Sequence, residues 1–538
     1  MQRLIRFTLF IAIAVGAVLG WVWRRAVLRR LRLLIEARLG GYRQRPNVVD
    51  TLLPERTHGA KKVAVIGSGL AGIGAASTLA ARGYEITLID KNPYLGGKIG
   101  AWTHRFDDGV EQPVEHGFHA FFASYYNLNA FFERSGVARN MVPISDYLVV
   151  ARDGTQHSFG DLETTPVLNL LDLARRGLFR VGELLDSDAI HHLGALLEYR
   201  KTETFQAYDH ETFAAWSART QLPPSLGLVF NTFSRAFFAH EDEMSMAELI
   251  RSFHFYYLSN DGGLIYSFPE DDYSATVLAP IREHLEELGV DIQLGAGAGK
   301  LKRAKTGGIL VGRRRFDEVV LATDVRGAHA LLSDAPLGEE APQQVEALHT
   351  LRPRNRYAVL RLWLDRDLRP NLPAFTVVER IDALDSVTAV HRAERTSAAW
   401  VAEHGGSVIE LHSYALPHDA TDDADIQARL WKEAIHYFPE LRGAQQHRSV
   451  LQVRDDFACF HAGLAQHRPD RSSGIEDLWF AGDWVDVPWP MMLMERAFTS
   501  GVHAANAILE RDGVQQQQVY AVPSEGIMKP RARPLAAR

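Results

Sequence analysis

Three glycines and one aspartate stand at spacings that suit the binding of a dinucleotide. Gly67, Gly69 and Gly72 follow an apolar run at GxGxxG spacing, and Asp90 lies 21 residues after Gly69. Such glycines permit a tight turn, close approach of a pyrophosphate and close helix–strand packing, while the acid accepts from ribose hydroxyls. An ordinary glycine turn, and for Asp90 a strand-end turn residue, are the alternatives.

The elements that must position these residues occur in the expected order. Residues 63–66 predict a strand buried on both faces, residues 71–82 a helix whose amino end faces phosphates, and residues 84–89 a second strand. A glycine pair at 96–97 follows Asp90 and is by itself compatible with a simple turn. At this spacing it resembles FAD-dependent flavoproteins such as amine oxidases and phytoene desaturases.

Length and composition are those of a globular protein with more than one domain. The chain has 538 residues, 46% hydrophobic and 23% charged, and a net charge of −7, which gives no indication of nucleic-acid binding. The single cysteine, Cys459, excludes an intrachain disulfide and a CxxC pair, and is expected to be a small buried residue. The histidines show no metal-binding spacing, so no metal is predicted.

The amino terminus predicts membrane attachment. Residues 7–23 carry no charge and predict a transmembrane helix. Arginines are more frequent after this segment than before it, which predicts a single-pass protein of the cell inner membrane with its catalytic body on the cytoplasmic side. A cleaved signal peptide or a buried helix is the alternative. Residues 24–39 predict a basic amphipathic segment on anionic lipid, or else a solvated linker.

The predicted fold class is α/β: an FAD-binding Rossmann-like domain with an interleaved α+β substrate domain, plus the N-terminal transmembrane helix. The FAD-binding domain is assigned to three segments and the aromatic-rich substrate domain to two. Composition predicts a linker and a disordered tail. The predicted boundaries are 1–39 for the membrane and amphipathic segments, 40–60 for the linker, 61–124, 271–344 and 451–512 for the FAD-binding domain, 125–270 and 345–450 for the substrate domain, and 513–538 for the tail.

Several motifs outside the nucleotide turn occur in the order found in one enzyme family. The stretch EHGFHAFFASYYNLNAFFERSGV at 115–137 is similar to the early motif of isorenieratene synthase, a carotenoid desaturase/methyltransferase related to phytoene desaturases. GGLIYSFPEDDY at 262–273, GGSVIELHSYA at 405–415 and MERAFTSGVHAANAIL at 494–509 continue the match. The resemblance covers roughly residues 61–510, and the acid at Glu115 departs from the family pattern.

The resemblance implies where FAD would bind. Its pyrophosphate would lie at the first glycine turn, its ribose at Asp90 and its flavin end near the second glycine pair. A later glycine–aspartate pair would meet the pyrophosphate–ribityl region, and the methionines at 491–494 would lie near the isoalloxazine or the substrate tunnel, or else only in the core. The predicted contacts are Gly67, Gly69, Leu70, Ala71, Gly72, Asp90, Lys91, Gly96, Gly97, Gly482, Asp483 and Met492.

The resemblance also implies a reaction and candidates for its catalytic groups. A saturated C–C bond would lose a hydride to the flavin and a proton from the next carbon, and a methyl shift would require an acid or a charge stabiliser. His116 and His119 are the predicted catalytic residues, and Glu115, Asp271 and Asp272 are further candidates; a structural role is the alternative for each.

The predicted activity is therefore that of a membrane-anchored oxidoreductase that desaturates a carotenoid-like lipid, with quinone or oxygen as the electron acceptor. Two alternatives stay open at this point. The first is a flavin dehydrogenase of another membrane lipid, such as a phospholipid acyl chain. The second is a flavin-binding membrane protein without catalytic activity.

Overall fold

A computed structural model describes residues 25–59, 61–185, 189–235 and 237–528. The transmembrane helix predicted at residues 7–23 lies outside these ranges. Within them, no helix combines the length and the apolar character needed to cross a bilayer. The amphipathic segment is helical over residues 25–39, and its Leu33 and Leu34 are 57% and 59% exposed.

The described residues form five sheets. Their strands, in chain order, are β1 Lys62–Ile66, β2 Glu85–Ile89, β3 Ala101–Arg105, β4 Glu111–Glu115, β5 Phe121–Phe122, β6 Met141–Pro143, β7 Leu148–Val150, β8 Gln156–Ser158, β9 Tyr266–Pro269, β10 Asp291–Gln293, β11 Leu301–Arg303, β12 Ile309–Val311, β13 Arg314–Phe316, β14 Glu318–Leu321, β15 Tyr357–Leu364, β16 Phe375–Val378, β17 Ser386–Ala389, β18 Ser407–Ser413, β19 Gln446–Arg454 and β20 Leu478–Phe480. Two of the sheets, described below, form the walls of the candidate site.

The helices pack on these sheets or build the segment between β8 and β9. In chain order they are α1 (residues 25–39), α2 Leu70–Ala81, α3 Tyr126–Ser135, α4 Leu168–Arg175, α5 Val181–Leu185, α6 Ala189–Leu197, α7 Lys201–Tyr208, α8 Phe213–Thr220, α9 Pro224–Arg235, α10 Met246–Phe253, α11 Ala279–Glu287, α12 Val325–Ser333, α13 Pro342–Thr350, α14 Arg395–His404, α15 Asp423–Tyr437 and α16 Leu493–Arg511. Helix α10 continues into a π-helical turn at His254–Leu258.

The first sheet is parallel and has the strand order β10-β2-β1-β14-β20. Its central strand β1 is apolar after Lys62 because helices cover both faces of a parallel sheet, and Val63 and Val65 are fully buried. The strands come from residues 62–89, 291–321 and 478–480, so the sheet is assembled from three separated parts of the chain. Such a sheet places the carboxyl ends of its strands at one edge, where ligands bind.

Helices α2 and α16 cross closely because glycines lie at their contact. A Cβ on Gly501 would stand 1.9 Å from the Ala71 carbonyl oxygen, and a Cβ on Gly74 would stand 2.5 Å from the Phe498 carbonyl oxygen. The close crossing brings the beginning of α16 to the same edge of the sheet as the beginning of α2. Two segments far apart in the chain therefore meet at one site.

The second large sheet has the order β19-β15-β18-β17-β16-β7-β8 and is antiparallel except between β16 and β7. Successive residues along its strands face opposite sides of the sheet. Leu360 and Leu362 belong to an apolar core that α15 also supplies, whereas Arg361 lies between them on the opposite face beside Glu410. This second face is polar in part and forms a wall of the candidate site.

The tail predicted to be disordered is ordered over its described part, residues 513–528. Val519 and Val522 are buried, and the backbone of Tyr520 exchanges hydrogen bonds with the Asn127 side chain at 2.8 and 2.7 Å. Residues of the predicted linker contribute as well, because Asn47 Oδ1 accepts from the Val519 N–H at 2.8 Å. The composition-based prediction was wrong here because a few buried valines and one anchored turn suffice to hold a polar segment.

Candidate functional site

One cavity of about 770 Å³ begins at the carboxyl edge of the first sheet and continues to the second. The residues lining its first half come from the glycine turns after β1 and β2, from the end of β14 and from the turn after β20. Those lining its second half are mainly aromatic and come from the substrate segments. The sequence-predicted residues Gly67, Gly69, Leu70, Ala71, Asp90, Lys91, Gly96, Gly97, Gly482, Asp483, His116 and His119 all line this cavity.

Two glycines of the first turn lie where the backbone leaves no space for a side chain, and the third borders open space. Gly67 has φ +107°, and a Cβ there would lie 2.5 Å from the Ala322 carbonyl oxygen. A Cβ on Gly72 would lie 1.8 Å from the Gly67 carbonyl oxygen. A Cβ on Gly69 would meet only the Gly97 Cα, at 4.0 Å, so this position opens into the cavity. Helix α2 begins there with no acidic residue in its first turn, as an anion requires.

The second glycine pair packs directly on the first turn. The Gly96 N–H donates to the Ser68 carbonyl oxygen at 2.9 Å, and φ is +101° at Gly96. A Cβ on Gly97 would lie 2.9 Å from the Gly69 Cα. Both turns line the same part of the cavity, and we refer to residues 67–72 and 96–97 together as the glycine cradle. The contact of Gly96 and Gly97 with FAD stays a prediction.

Asp90 holds this cradle together through its carboxylate. Oδ2 accepts from the Ser68 N–H at 2.7 Å and from the Ser68 hydroxyl at 2.8 Å, while Oδ1 accepts from the Asn92 N–H at 2.8 Å. The side chain is 8% exposed and lines the cavity. Its role in organising the turn is thus established by geometry, and its contact with a ribose stays a prediction.

Asp483 forms an ion pair inside the cavity with a lysine that the sequence reasoning missed. The Lys98 Nζ donates to Asp483 Oδ2 at 2.9 Å. Burial opposes the charge on Lys98, but the carboxylates of Asp483 and Asp456 outweigh burial and raise its pKa. Lys98 follows the second glycine pair directly in the sequence, and this position could have identified it as a site residue. Gly482, with φ +152°, lets the chain turn where a Cβ would lie 2.4 Å from Trp484 Nε1.

Met492 does not contribute its side chain to the cavity. It is fully buried, and it is the residue immediately before α16, so its side chain packs into the core behind the wall. The next two residues, Leu493 and Met494, line the cavity instead. Leu493 has φ +48°, an unusual value for a non-glycine residue at the start of a helix. Met494 therefore reaches the cavity wall and the Met492 side chain does not, while contact of this segment with FAD stays a prediction.

His116 and His119 line the cavity in different settings. The His116 Nε2 lies 3.3 Å from the Tyr94 hydroxyl, its Nδ1 is buried without a hydrogen-bond partner in the described part of the chain, and burial lowers its pKa to about 2. The His119 Nδ1 donates to the Gly117 carbonyl oxygen at 2.7 Å, and burial lowers its pKa to about 4. Both imidazoles are accordingly neutral, and a catalytic role for either remains a prediction.

A buried cluster of one arginine and three glutamates lies behind this wall. Arg361 donates to Glu410 Oε1 at 2.9 Å and to Glu115, and Glu394 lies 3.8 Å away. Burial raises the pKa of Glu115, helped by the other carboxylates and opposed by Arg361. Burial also acts on Glu410, but there Arg361 and His412 prevail and lower its pKa to about 2. The sequence could have revealed this cluster, because two ionisable residues, Glu410 and His412, interrupt the apolar strand β18.

The second half of the cavity is lined largely by packed aromatic rings. Phe118 stacks on Phe375 with centroids 4.7 Å apart, and Tyr147 stacks on Phe159 at 4.5 Å. The hydroxyls of Tyr125 and Tyr256 are hydrogen-bonded to each other at 2.9 Å. Such a surface offers shape and apolar contact instead of a polar handle, as a hydrocarbon requires.

A histidine–carboxylate group lies apart from the cavity, although no metal was predicted. Ligand atoms of His240, Glu243 and His418 lie within 4.8 Å of one another. The His240 Nε2 is within hydrogen-bond distance of the Leu416 carbonyl oxygen, at 3.1 Å, and His418 is exposed. Sequence spacing had no means of bringing His418 to this position.

Residues 70–509 match the family described as flavin containing amine oxidoreductase, and the chain belongs to this family. It is an FAD-dependent oxidoreductase, and the glycine cradle fits the cofactor because Gly69 opens into the cavity at the start of α2. The predicted flavoprotein superfamily, enzyme class and cofactor are thereby confirmed. The finer resemblance to isorenieratene synthase stays a prediction.

Proteins of known name resemble this chain over most of its length. A carotenoid phi-ring synthase from Streptomyces griseus is 34% identical over 479 residues, which cover 87% of this chain and 92% of that protein. A probable zeta-carotene desaturase from Synechococcus elongatus is 23% identical and covers 84% of this chain and 99% of that protein. The structure of an oxidoreductase from Methanosarcina mazei superposes with a TM-score of 0.60 at 15% identity, over 84% of this chain and 100% of that one. This last likeness concerns the fold alone.

Proposed function

We propose that the protein desaturates a carotenoid or a similar polyisoprenoid lipid by hydride transfer to FAD. The observation that carries the proposal is the continuous cavity, which joins the glycine cradle to a long aromatic-lined space. The named relatives, a carotenoid phi-ring synthase and a zeta-carotene desaturase, support a substrate of this class.

The chain's own residues have three tasks in this reaction. The glycine turns and the start of α2 bind the pyrophosphate of FAD, which supplies the two-electron oxidant. The aromatic half positions an unactivated chain by shape, with the reacting carbon near the flavin end. The stacked rings around Phe118 and Tyr147 exclude water, which keeps a cationic intermediate of the substrate from being hydrated.

The test is anaerobic reduction of the purified, FAD-loaded enzyme by a panel of acyclic, monocyclic and bicyclic carotenes and unsaturated phospholipids. We expect loss of the flavin's visible absorbance with carotenes and the appearance of a more unsaturated polyene. Reduction by phospholipid acyl chains alone would contradict the proposal in favour of another lipid. Retained FAD that no member of the panel reduces would contradict it as well.

The same proposal includes attachment to the inner membrane with the catalytic body on the cytoplasmic side, and reoxidation by quinone or oxygen. Exposed leucines and arginines on α1 support lipid contact. Arg32 of α1 pairs with Glu163 at 2.5 Å, close in sequence to α4, whose Leu171 is 60% exposed. Phe159 and Leu178, which flank α4 in the chain, line the far part of the cavity, so substrate would enter from this side.

Flotation with anionic phospholipid vesicles tests the attachment. We expect the full chain to float with the vesicles and a chain lacking residues 1–39 to stay at the bottom of the gradient. In the full chain, Leu33→Glu with Leu34→Glu should weaken flotation, because two exposed apolar contacts are replaced by charges that anionic lipid repels. The control is Leu52→Glu, a leucine outside α1 that is 93% exposed. Undiminished flotation of the shortened chain would contradict attachment through this segment.

A further inference from the structure

The polyene that we propose as substrate must lose a proton as well as a hydride, and an apolar cavity contains few groups able to accept one. Three imidazoles line the cavity, and two of them, those of His119 and His412, lie beside Gly117. His412 lies on β18 opposite Val359 of β15, and a Cβ on Gly117 would come within 2.9 Å of its Cε1. The two histidines are therefore close neighbours on one wall.

His412 differs from His119 in having a carboxylate partner. Its Nε2 lies 3.3 Å from Glu410 Oε2, and both side chains are buried. The Thr388 Oγ1 lies 3.5 Å from the same nitrogen. The ring lines the cavity, and the hydrogen bonds of its side chain among the described residues are made through Nε2. The carboxylate favours the tautomer with the proton on Nε2, which leaves the lone pair of Nδ1 able to accept a proton.

Glu410 is kept ionised by the groups behind it. Arg361 Nε donates to its Oε1 at 2.9 Å, and the Phe118 N–H donates to its Oε2 at 3.1 Å. A carboxylate held in this way stabilises an imidazolium as it forms and orients the ring beforehand. His119 has instead only the Gly117 carbonyl oxygen, at 2.7 Å from its Nδ1, and no carboxylate in contact.

We propose that His412 is the proton acceptor of the desaturation and that Glu410 is its positioning residue; this inference rests on the proposed function. FAD, held at the glycine turns, would be the two-electron oxidant that takes a hydride from one substrate carbon. The adjacent carbon then releases a proton to Nδ1 of His412, and the electron pair of that C–H bond becomes the second bond of the new C=C. The substrate loses two hydrogen atoms in total, and the proton leaves His412 for water after the product departs.

Four ionisable groups face His412. They are Glu410 and Tyr414 on its own strand, His119 on the segment after β4, and Arg361 on β15 behind Glu410. Among these, Glu410 alone makes an ion pair with His412. Its removal should therefore leave the imidazole less well oriented, so that reduction slows while the affinity for the carotene stays unchanged.

The test is single-turnover reduction of the flavin by the best carotene of the panel, measured with His412→Gln, His119→Gln and the surface control His58→Gln. We expect His412→Gln to retain FAD and to bind the carotene, while its reduction rate falls about 100-fold or more. The rate of His412→Ala should recover partly on addition of imidazole. Glu410→Gln should slow reduction less and leave the affinity for the carotene unchanged.

Two results with the glutamine variants would overturn the inference while leaving the proposed function intact. One is an undiminished rate in His412→Gln when wild-type enzyme is reduced normally. The other is a larger loss of rate in His119→Gln than in His412→Gln, together with an unslowed reduction in Glu410→Gln. Wild-type enzyme that no polyene reduces would instead contradict the proposed function itself. Because the imidazole rescue compares one folded variant with itself, a rate that imidazole leaves unchanged also counts against His412 as the acceptor.

Discussion

The glycines of the glycine cradle have two different roles: some avoid a clash with nearby backbone, and one leaves space open in the cavity. Gly67 and Gly72 remove side chains where backbone oxygens approach within 2.5 Å and 1.8 Å of the absent Cβ. Gly69 has ordinary backbone angles and open space beside it. Substitutions at the first two positions therefore disturb folding, whereas a substitution at Gly69 disturbs binding.

We expect Gly69→Val to fold normally and to lose FAD. The branched side chain would occupy the space at the start of α2 where we expect the pyrophosphate, so FAD affinity should fall at least about tenfold, which is about 1.4 kcal/mol. The measurement is the ratio of flavin to protein absorbance after gel filtration, with thermal unfolding of the apoprotein. Gly59→Val, at an exposed position with nothing within 4 Å, is the control. Equal FAD content in both variants would contradict the placement.

The sequence could predict the two glycine turns because they are formed by the backbone of neighbouring residues. The glycines and Asp90 lie in one continuous stretch of chain, and each has a geometric reason for its type. Lys98 and His412 could not be predicted in the same way. Their importance depends on partners, Asp483 and Glu410, whose positions only the folded sheets define.

At the scale of elements, the crossing of α2 and α16 aligns the two helix starts with the cavity. We expect Gly501→Ala to destabilise the protein by about 1–3 kcal/mol, because the added carbon meets the Ala71 carbonyl oxygen and the helices must separate. The measurement is the free energy of unfolding in urea. The control is Gly194→Ala on α6, where the nearest atom lies 3.9 Å away and alanine should stabilise the helix by up to about 1 kcal/mol. A neutral Gly501→Ala would contradict the crossing.

A second element-scale prediction concerns the contact between α16 and the beginning of α3. Burial raises the pKa of Glu495 to about 7, although its carboxylate accepts from the Asn127 and Leu128 N–H groups. Because the folded pKa exceeds the ordinary value of 4.5, ionisation disfavours the folded state. The stability is fully present below the unfolded pKa and is lost as pH rises through about 7.

The measurement is the free energy of unfolding between these two pH values for wild type and Glu495→Gln. Wild type should lose stability with rising pH by up to about 1.4 kcal/mol per pH unit from this group. The glutamine variant should lack this part of the slope, whatever its absolute stability, and the difference in slope is the readout. Parallel profiles would contradict the raised pKa of Glu495.

At the scale of the whole molecule, the sequence predicted the architecture better than the path of its ends. The parallel sheet could be predicted because its strands are apolar runs that alternate with helices, as in the segment from β1 to β2. The interleaved connections could be inferred from the later strand at 316–324 and the glycine–aspartate turn. The packing of residues 513–528 could not, since it depends on Asn127 and Asn47, which lie hundreds of residues away.

The ordered carboxyl segment packs against distant parts of the chain, so its removal should destabilise more than the tail itself. A chain ending at residue 512 would lose the buried Val519 and Val522, which contribute about 1.5–3 kcal/mol each, and would leave the Asn127 side chain at the start of α3 without its backbone partner. We expect a clear fall in the thermal midpoint and weaker FAD retention, because Asn127 also donates to Glu495 on α16 at 2.7 Å. A chain ending at residue 528 is the matched control and should unfold like the full chain. Equal midpoints for the two shortened chains would show that the segment is dispensable, as its composition had predicted.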